Sequence, residues 1–272
     1  MNIFTERNFY PSEDTPIKAH YAGIFDSVFL AFIPFFRLDE EHLSKTSFQK
    51  VHQITFPQFN SANPDLKLPE NINADIYSND NPDYPTDAEI LKYGTPVGWE
   101  EVRQGCGFAS YVELNKALTT TIGGYRAELK RQDLADRLLE YALRERIFLP
   151  EEGKLDVLSK RSILKTFGRL DKGLVIVEDE YLQKKEYIDI RSITDEEFCE
   201  RISYKDYYIY DNDQDVLFAV DWDDFFFLIC SSDSTRDEIL PDGDFEGFLC
   251  DANTTVYWEY SDAEIQAAIA TG

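Results

Sequence analysis

Four short runs of β-branched and aromatic residues in the later part of the chain constrain its fold most strongly. They are Leu174–Val177, Tyr207–Tyr210, Val216–Val220 and Phe225–Ile229. Runs of this length and composition are typical of β-strands, and Asp- and Asn-rich segments separate several of them. The segment 211–214 lies between two of the runs and predicts a hairpin connection. The pattern therefore predicts a mostly antiparallel sheet.

Three further segments carry strand or loop signals. The apolar run Val28–Ile33 predicts a strand, and Phe245–Cys250 with Thr254–Tyr260 predicts another hairpin. Residues 55–85 are rich in Asn, Asp and Pro, which predicts a long surface loop or an interdomain connection. We therefore expect an N-terminal segment and loop over residues 1–75 and a main domain over 76–272, with one continuous domain as the alternative.

The middle of the chain has apolar residues at helical spacing instead. Residues 110–149 predict two helices, with Gly123-Gly124 as the joint or a close-packing point, and Val157–Phe167 predicts a third helix that ends near Gly168. A helical middle segment packed with a mostly antiparallel sheet formed by the C-terminal third is an α+β fold.

Helix starts are marked by a Ser/Thr-x-x-Glu pattern, in which the hydroxyl and the carboxylate cap each other's backbone amides. The pattern occurs at Thr86 with Glu89, Ser110 with Glu113, Thr194 with Glu197, and Ser261 with Glu264. The helix that begins after Thr86 is expected to end at Gly94.

Net charge limits the possible partners. The chain has a formal charge of −25, and residues 189–272 contain 22 acidic and 4 basic side chains, a balance of −18. Such a surface repels nucleic-acid phosphates and anionic lipids and attracts a basic protein or a cation. We therefore predict a possible basic protein partner and no binding to nucleic acid or membrane.

Targeting and cysteine patterns favour a cytoplasmic protein. The N-terminus lacks the basic and apolar regions of a signal peptide, and the apolar stretch Gly23–Phe36 is shorter than the roughly 20 residues that span a bilayer. Four cysteines, at 106, 199, 230 and 250, form no C-x-x-C and have no neighbouring histidine. They predict buried, reduced thiols rather than a zinc site or disulfides.

Asp211, Asp213 and Asp215 have the opening spacing of a calcium-binding loop. The glycine that such a loop requires is replaced by Val216, and its twelfth position is Trp222 rather than Glu. A solvated acidic turn is therefore favoured over a weak cation site.

A second acidic group, Asp221-Trp222-Asp223-Asp224, follows the apolar run that ends at Val220. It superficially resembles phosphatases that place two aspartates just beyond a strand, but the lysine and paired carboxylates of that chemistry do not follow. Strand-end carboxylates that face solvent or a partner are favoured. With no catalytic signature elsewhere, we predict no catalytic residue, no cofactor and no metal.

A basic stretch surrounds the third predicted helix. Its members are Lys154, Lys160, Arg161, Lys165, Arg169 and Lys172. A solvated helix face is the default interpretation, and docking onto the acidic C-terminal region of the same or another chain is the alternative.

Several segments together resemble a known family. They are Tyr84–Leu91, Gly94–Trp99, Glu113–Leu118, Asp133–Leu138 and Phe245–Cys250. The chain is similar, over roughly residues 80–260, to uncharacterised Bacillus-type bacterial proteins classed as a domain of unknown function. The resemblance implies a bacterial cytosolic protein and supplies no activity.

Three hypotheses about function remain: a binding protein, an enzyme, and a structural or self-associating protein. The leading hypothesis is a protein-binding role like that of acidic immunity proteins that neutralise basic toxins, with binding residues Asp211, Asp213, Asp215, Asp221, Trp222, Asp223 and Asp224. The alternative is a hydrolase or metal-assisted enzyme that uses the carboxylates at 221, 223 and 224. A closed pocket favours the enzyme, whereas an open surface flanked by Tyr207, Tyr208 and Tyr210 favours protein binding.

Overall fold

A seven-stranded antiparallel sheet is the centre of the molecule. The computed structural model describes residues 3–13, 15–39, 51–54, 76–79, 84–123, 127–241, 243–261 and 263–265. The strands are β1 Ser27–Phe32, β2 Phe35–Leu38, β3 Val51–Ile54, β4 Ile76–Asn79, β5 Gly94–Val97, β6 Leu174–Asp179, β7 Lys185–Asp189, β8 Asp206–Asp211, β9 Val216–Val220, β10 Phe226–Ser231 and β11 Gly247–Leu249. The large sheet has the order β11-β1-β10-β9-β8-β6-β7, and β2-β5 and β3-β4 form separate pairs.

Helices cover both faces of this sheet. They are α1 Ile3–Glu6, α2 Ile17–His20, α3 Asp87–Tyr93, α4 Trp99–Cys106, α5 Tyr111–Thr121, α6 Gln132–Glu145, α7 Val157–Arg169, α8 Asp195–Arg201 and α9 Asp233–Ile239. Short 3₁₀ helices occupy Ala127–Leu129 and Ile190–Ser192.

Alternate side chains of the strands pack into two core layers, one on each face of the sheet. In β9, Leu217 packs with residues of α4, α5, α6 and the N-terminal segment, whereas Phe218 packs with residues of α7, α8 and α9. Successive side chains of a strand point to opposite faces of the sheet. All five residues of Val216–Val220 are buried, so both faces of the sheet are covered at this strand. The central strands therefore end in segments held between two helical layers.

The α+β prediction is confirmed, with one correction to the sheet. The four predicted C-terminal runs all form strands, but β1 from the N-terminal segment lies between β10 and β11. The hairpin predicted from 245–250 and 254–260 is wrong because β11 pairs with β1. A strand of the N-terminal segment is therefore part of the large sheet.

The predicted helices form where the structure describes them, although one cap differs, and the helix predicted after Ser261 lies mostly outside the described residues. Capping boxes are present at Thr86 and Thr194, and Ser261 exchanges both hydrogen bonds with Glu264. At the start of α5, Ser110 makes no side-chain cap, because Glu113 instead accepts a hydrogen bond from the Ala109 amide. The segment predicted as a loop at 55–85 lies mostly outside the described residues, but it contains β4, which pairs with β3.

Two other sequence expectations concern burial and membranes. All four cysteines are buried, as expected, and none of them forms a disulfide bond. In the described residues, no helix has both the length and the apolar character needed to cross a membrane.

Candidate functional site

The connection between β9 and β10 carries the second predicted acidic group. Both strands are fully buried, so the residues between them mark the point where the chain leaves the core. The Ile33 amide donates a hydrogen bond to the Phe225 carbonyl, which fixes the end of this connection. Asp221, Asp223 and Asp224 are partly buried there, and Trp222 is 57% exposed.

A glycine holds this connection against a neighbouring loop. The Gly153 amide donates to the Asp224 carbonyl at 2.8 Å, and the Gly153 backbone has φ +58°. A Cβ atom at this position would lie 1.8 Å from the Trp222 carbonyl oxygen. The close approach of the two backbones therefore requires glycine.

An N-terminal tyrosine contacts the innermost carboxylate. The hydroxyl of Tyr10, a buried side chain, donates a hydrogen bond of 2.6 Å to Asp224 Oδ2. Asp221 Oδ1 accepts from the Trp222 amide at 2.8 Å. Three segments distant in sequence thus meet at the acidic group, which we call the strand-end cluster: Asp221, Asp223 and Asp224.

The strand-end cluster brings its carboxylates close together. One oxygen atom from each of the three side chains lies within 4.8 Å of the others. Burial, followed by the charges of Glu180 and Glu13, raises the pKa of Asp221 above its usual value despite the Trp222 amide. Burial and then the charge of Asp221 raise the pKa of Asp223 to about 6.

The pKa values of Asp224 and of Glu152 are raised as well. Burial raises the pKa of Asp224 well above its usual value, and the hydrogen bond from Tyr10 offsets only part of this. Burial and then the charge of Asp223 raise the pKa of Glu152 to about 7. In the described part of the chain, no Lys or Arg forms an ion pair with the strand-end cluster. Among the described residues, no basic side chain therefore stabilises the ionised forms of these carboxyl groups.

Several aromatic side chains of this part of the chain are exposed, and one of them lies within the connection itself. Trp222 belongs to the same connection, and Tyr181 and Tyr204 are 59% and 53% exposed. Burial raises the pKa of the Tyr207 hydroxyl, with smaller contributions from Glu180, Tyr204, Asp221 and Tyr181. Tyr207 and Tyr210 are buried, and Tyr208 is partly buried.

The other predicted acidic group is organised differently. Asp211 is 1% exposed and accepts hydrogen bonds from the amides of Asp213, Asp215 and Val216 at 2.8 to 3.2 Å. Lys172 Nζ lies 3.0, 3.4 and 2.6 Å from carboxylate oxygens of Asp211, Asp213 and Asp215. We call this group the hairpin cluster: Asp211, Asp213 and Asp215.

These contacts raise the pKa of Lys172. Burial lowers its pKa, but hydrogen bonds to Asp215 and Asp211 outweigh burial and raise the pKa above its usual value. The hairpin cluster therefore contains its own cation.

The basic stretch divides among several partners. Lys172 docks on the hairpin cluster, and Arg169 lies 3.8 Å from Asp244, as the intramolecular alternative predicts. Lys154 instead pairs with Asp87 and Glu151. Lys160 is not on a solvated face, because it is 2% exposed and donates to the Ile202 carbonyl at 3.0 Å.

Sequence reasoning missed the residues that surround the strand-end cluster. Tyr10, Glu152 and Gly153 are far from Asp224 in the chain, and no motif spacing connects them. The Glu-Glu-Gly turn at 151–153 was the only local signal, and its glycine predicts a turn rather than a site.

Comparisons with known proteins agree with the resemblance noted in the sequence. Residues 13–260 match the family described as "Protein of unknown function (DUF2711)". The "Uncharacterized protein YwbB" of Bacillus subtilis (strain 168) is 28% identical over 180 residues, which cover 64% of this chain and 77% of that protein. No solved structure gives a significant match.

Proposed function

We propose that this chain, which belongs to the DUF2711 family of proteins of unknown function, binds a basic protein through its strand-end cluster and Trp222. The interaction would resemble that of acidic immunity proteins with basic toxins. A cytoplasmic location, where the four buried thiols stay reduced, is part of the proposal.

The uncompensated charge of the strand-end cluster carries this proposal. Burial, and then the charge of Asp221, disfavour the ionised form of Asp223, whose pKa is raised to about 6, and one oxygen of each of the three carboxyl groups lies within 4.8 Å of the others. Perturbed carboxyl groups without a structural ion pair are concentrated at functional sites. A Lys or Arg side chain from a partner would supply the missing positive charge.

The neighbouring aromatic residues support a protein as the source of that charge. Trp and Tyr are enriched at interface hot spots, and an aromatic face also attracts cationic side chains. Trp222 is the most exposed tryptophan described, and it belongs to the connection that carries Asp221, Asp223 and Asp224. The combined surface therefore offers both charge and anchoring area.

A matched pair of variants tests the proposal. The probe is a fluorescent decapeptide rich in Lys and Arg, measured by anisotropy and stopped flow at several salt concentrations. Asp221→Asn/Asp223→Asn is expected to lower affinity by about tenfold, since each close charge pair is worth on the order of 1 kcal/mol or more. Asp213→Asn/Asp215→Asn removes the same charge and is expected to lower affinity by less than about threefold, because Lys172 already occupies that cluster.

Kinetics separate steering from anchoring in this experiment. The charge variant is expected to slow association most at low salt, where the Debye length is longest, about 10 Å at 0.1 M. Trp222→Ala is expected to accelerate dissociation instead. Equal effects of the two double variants would mean that net charge alone attracts the probe, and the proposal would be wrong.

A second candidate is a metal-assisted hydrolase. It is favoured by the convergence of the three carboxylate oxygens and by a cavity of about 700 Å³ that Asp221, Tyr10, Ser12 and His20 help to line. Asp221, Asp223 and Asp224 would hold a divalent ion, which would activate a water molecule for attack. Stoichiometric Mg²⁺, Ca²⁺ or Mn²⁺ binding by calorimetry, lost in Asp221→Asn/Asp223→Asn, would favour this candidate over the first.

A further inference from the structure

A separate cavity of about 360 Å³ lies along α7. One wall consists of α7 residues that include Arg161, Ser162 and Lys165, and the segment 243–246 forms another part of the lining. None of the lining residues belongs to the strand-end cluster or the hairpin cluster. The volume is within the range of about 300 to 1,000 Å³ that is typical of small-molecule sites.

The basic groups of this cavity have no hydrogen-bond or ion-pair partner among the residues that the structure describes. Arg161 and Lys165 are four residues apart on α7, so they lie on one face of the helix, next to Ser162. Across the described ranges, none of these three side chains makes a hydrogen bond or an ion pair. In a chain with a net charge of −25, two basic side chains beside a cavity without an acidic partner are unexpected.

The acidic groups of the same cavity are already engaged. Glu246 accepts hydrogen bonds from the amides of Trp99 at 2.6 Å and Glu100 at 2.7 Å, and from the Tyr111 hydroxyl at 3.2 Å. Asp244 lies 3.8 Å from Arg169. The polar lining side chains without a partner among the described residues are therefore Arg161, Ser162 and Lys165, which are all hydrogen-bond donors, and two of them are positively charged.

We propose that this cavity binds a small organic phosphate. The guanidinium of Arg161 and the ammonium of Lys165 bind the phosphate oxygens, and the Ser162 hydroxyl donates a further hydrogen bond. Pro34, Pro96 and Phe245, which are only partly buried or exposed, contact the apolar part of the ligand. General attraction of anions is opposed by the net charge, so binding depends on these local donors.

Phenyl phosphate is the probe, because it joins a phosphate to a flat apolar ring. Titration of ¹⁵N-labelled protein is expected to shift the backbone amides of Ser162, Gly243 and Phe245 to saturation. Inorganic phosphate is expected to bind more weakly, benzoate more weakly still, and benzyl alcohol not at all. Arg161→Gln/Lys165→Gln is expected to weaken phenyl phosphate binding at least about tenfold, since hydrogen bonds to charged groups contribute about 1.5 to 3 kcal/mol.

Controls make each outcome decisive. Lys18→Gln removes an exposed charge that does not line the cavity and is expected to leave binding unchanged. Lys165→Gln alone alters an exposed side chain, so it keeps the test usable where the double variant does not fold. The proposal is overturned by any of three results: no local shifts at about 20 mM phenyl phosphate, unchanged binding in the folded variants, or tighter binding of benzoate or benzyl alcohol.

Discussion

The hairpin cluster and the strand-end cluster have the same number of aspartates and opposite electrostatic surroundings. In the hairpin cluster, backbone amides and Lys172 surround the buried Asp211 carboxylate. In the strand-end cluster, the Asp224 carboxylate contacts the Tyr10 hydroxyl, and its charged neighbours are other acids. An acidic loop therefore becomes a candidate binding site only where the fold leaves its charge uncompensated.

The comparison also changes which residues should attract a basic partner. The sequence gives both groups equal weight, because a linear count of charges does not show that Lys172 reaches three aspartates across the fold. The hairpin cluster stabilises a turn, whereas the strand-end cluster opposes ionisation at neutral pH. The predictions below test this difference.

The largest difference should be in stability when the innermost aspartate of each cluster is replaced. Asp211→Ala is expected to lower the free energy of unfolding by about 3 kcal/mol, because three amides and Lys172 lose a buried partner. Asp224→Asn is expected to change it by less than about 1 kcal/mol at pH 7, because the raised pKa of Asp224 favours a neutral carboxyl group, which the amide replaces with similar shape and charge. Urea unfolding measures both. A larger loss for Asp224→Asn would contradict the comparison.

A second effect concerns the backbone that holds the strand-end cluster. Gly153→Ala is expected to destabilise the protein by about 2 kcal/mol or more, since its Cβ would meet the Trp222 carbonyl at 1.8 Å. Gly23→Ala is the control, because Gly23 also has positive φ but nothing lies near its Cβ position. Thermal unfolding of both variants separates the clash from backbone strain. Equal losses would remove the argument for close packing.

The third effect is a pH dependence. The folded-state pKa of Asp223 is raised to about 6, so the folded protein binds this proton more tightly than the unfolded chain. Stability from this group is full below the unfolded pKa, near 4, and is lost as pH rises through about 6. Asp223→Asn should thus stabilise the protein by about 1 kcal/mol at pH 8, after allowance for solvent screening, and have little effect at pH 4. Unfolding curves across this range provide the check, and a pH-independent effect would be inconsistent with the account.

The smallest effect is expected at the exposed edge of the hairpin cluster. Asp215→Asn loses a 2.6 Å contact with Lys172, but the Asp215 side chain is 58% exposed. Such surface pairs contribute between about 0 and 1 kcal/mol, and we expect a loss of about 0.5 kcal/mol that diminishes in high salt. Urea unfolding at two salt concentrations measures it. A loss above 2 kcal/mol would show that the edge, and not Asp211, organises this cluster.

Elements with strong local signals were predictable from the sequence. The helix at Asp87–Tyr93 has its capping box at Thr86, and β9 and β10 are apolar runs that fit a sheet buried on both faces. Strand β7, Lys185–Asp189, was missed because it lies at the sheet edge and has mostly polar residues. Helices α4 and α9 were missed because they are short and their buried residues are few.

The candidate site was predictable only in part. Asp221 to Asp224 could be found because they follow a buried strand, but Tyr10 and Glu152 reach the site through tertiary packing alone. The pairing of β11 with β1 likewise depends on a long-range contact that a hairpin pattern does not contain. Local spacing predicts elements, whereas the compensation of charge depends on which distant segments meet.

The most direct test is the titration of the strand-end carboxyl groups by ¹³C NMR of protein labelled at the aspartate side chains. Assignment comes from Asp221→Asn, Asp223→Asn and Asp224→Asn, and the three groups are fitted together because they interact. The account predicts that the cluster titrates above the ordinary aspartate range of about 3.5 to 4, with an apparent pKa of about 6 at Asp223. Titration of all three groups at or below about 4 would show that their charge is compensated, and the distinction between the two clusters would be wrong.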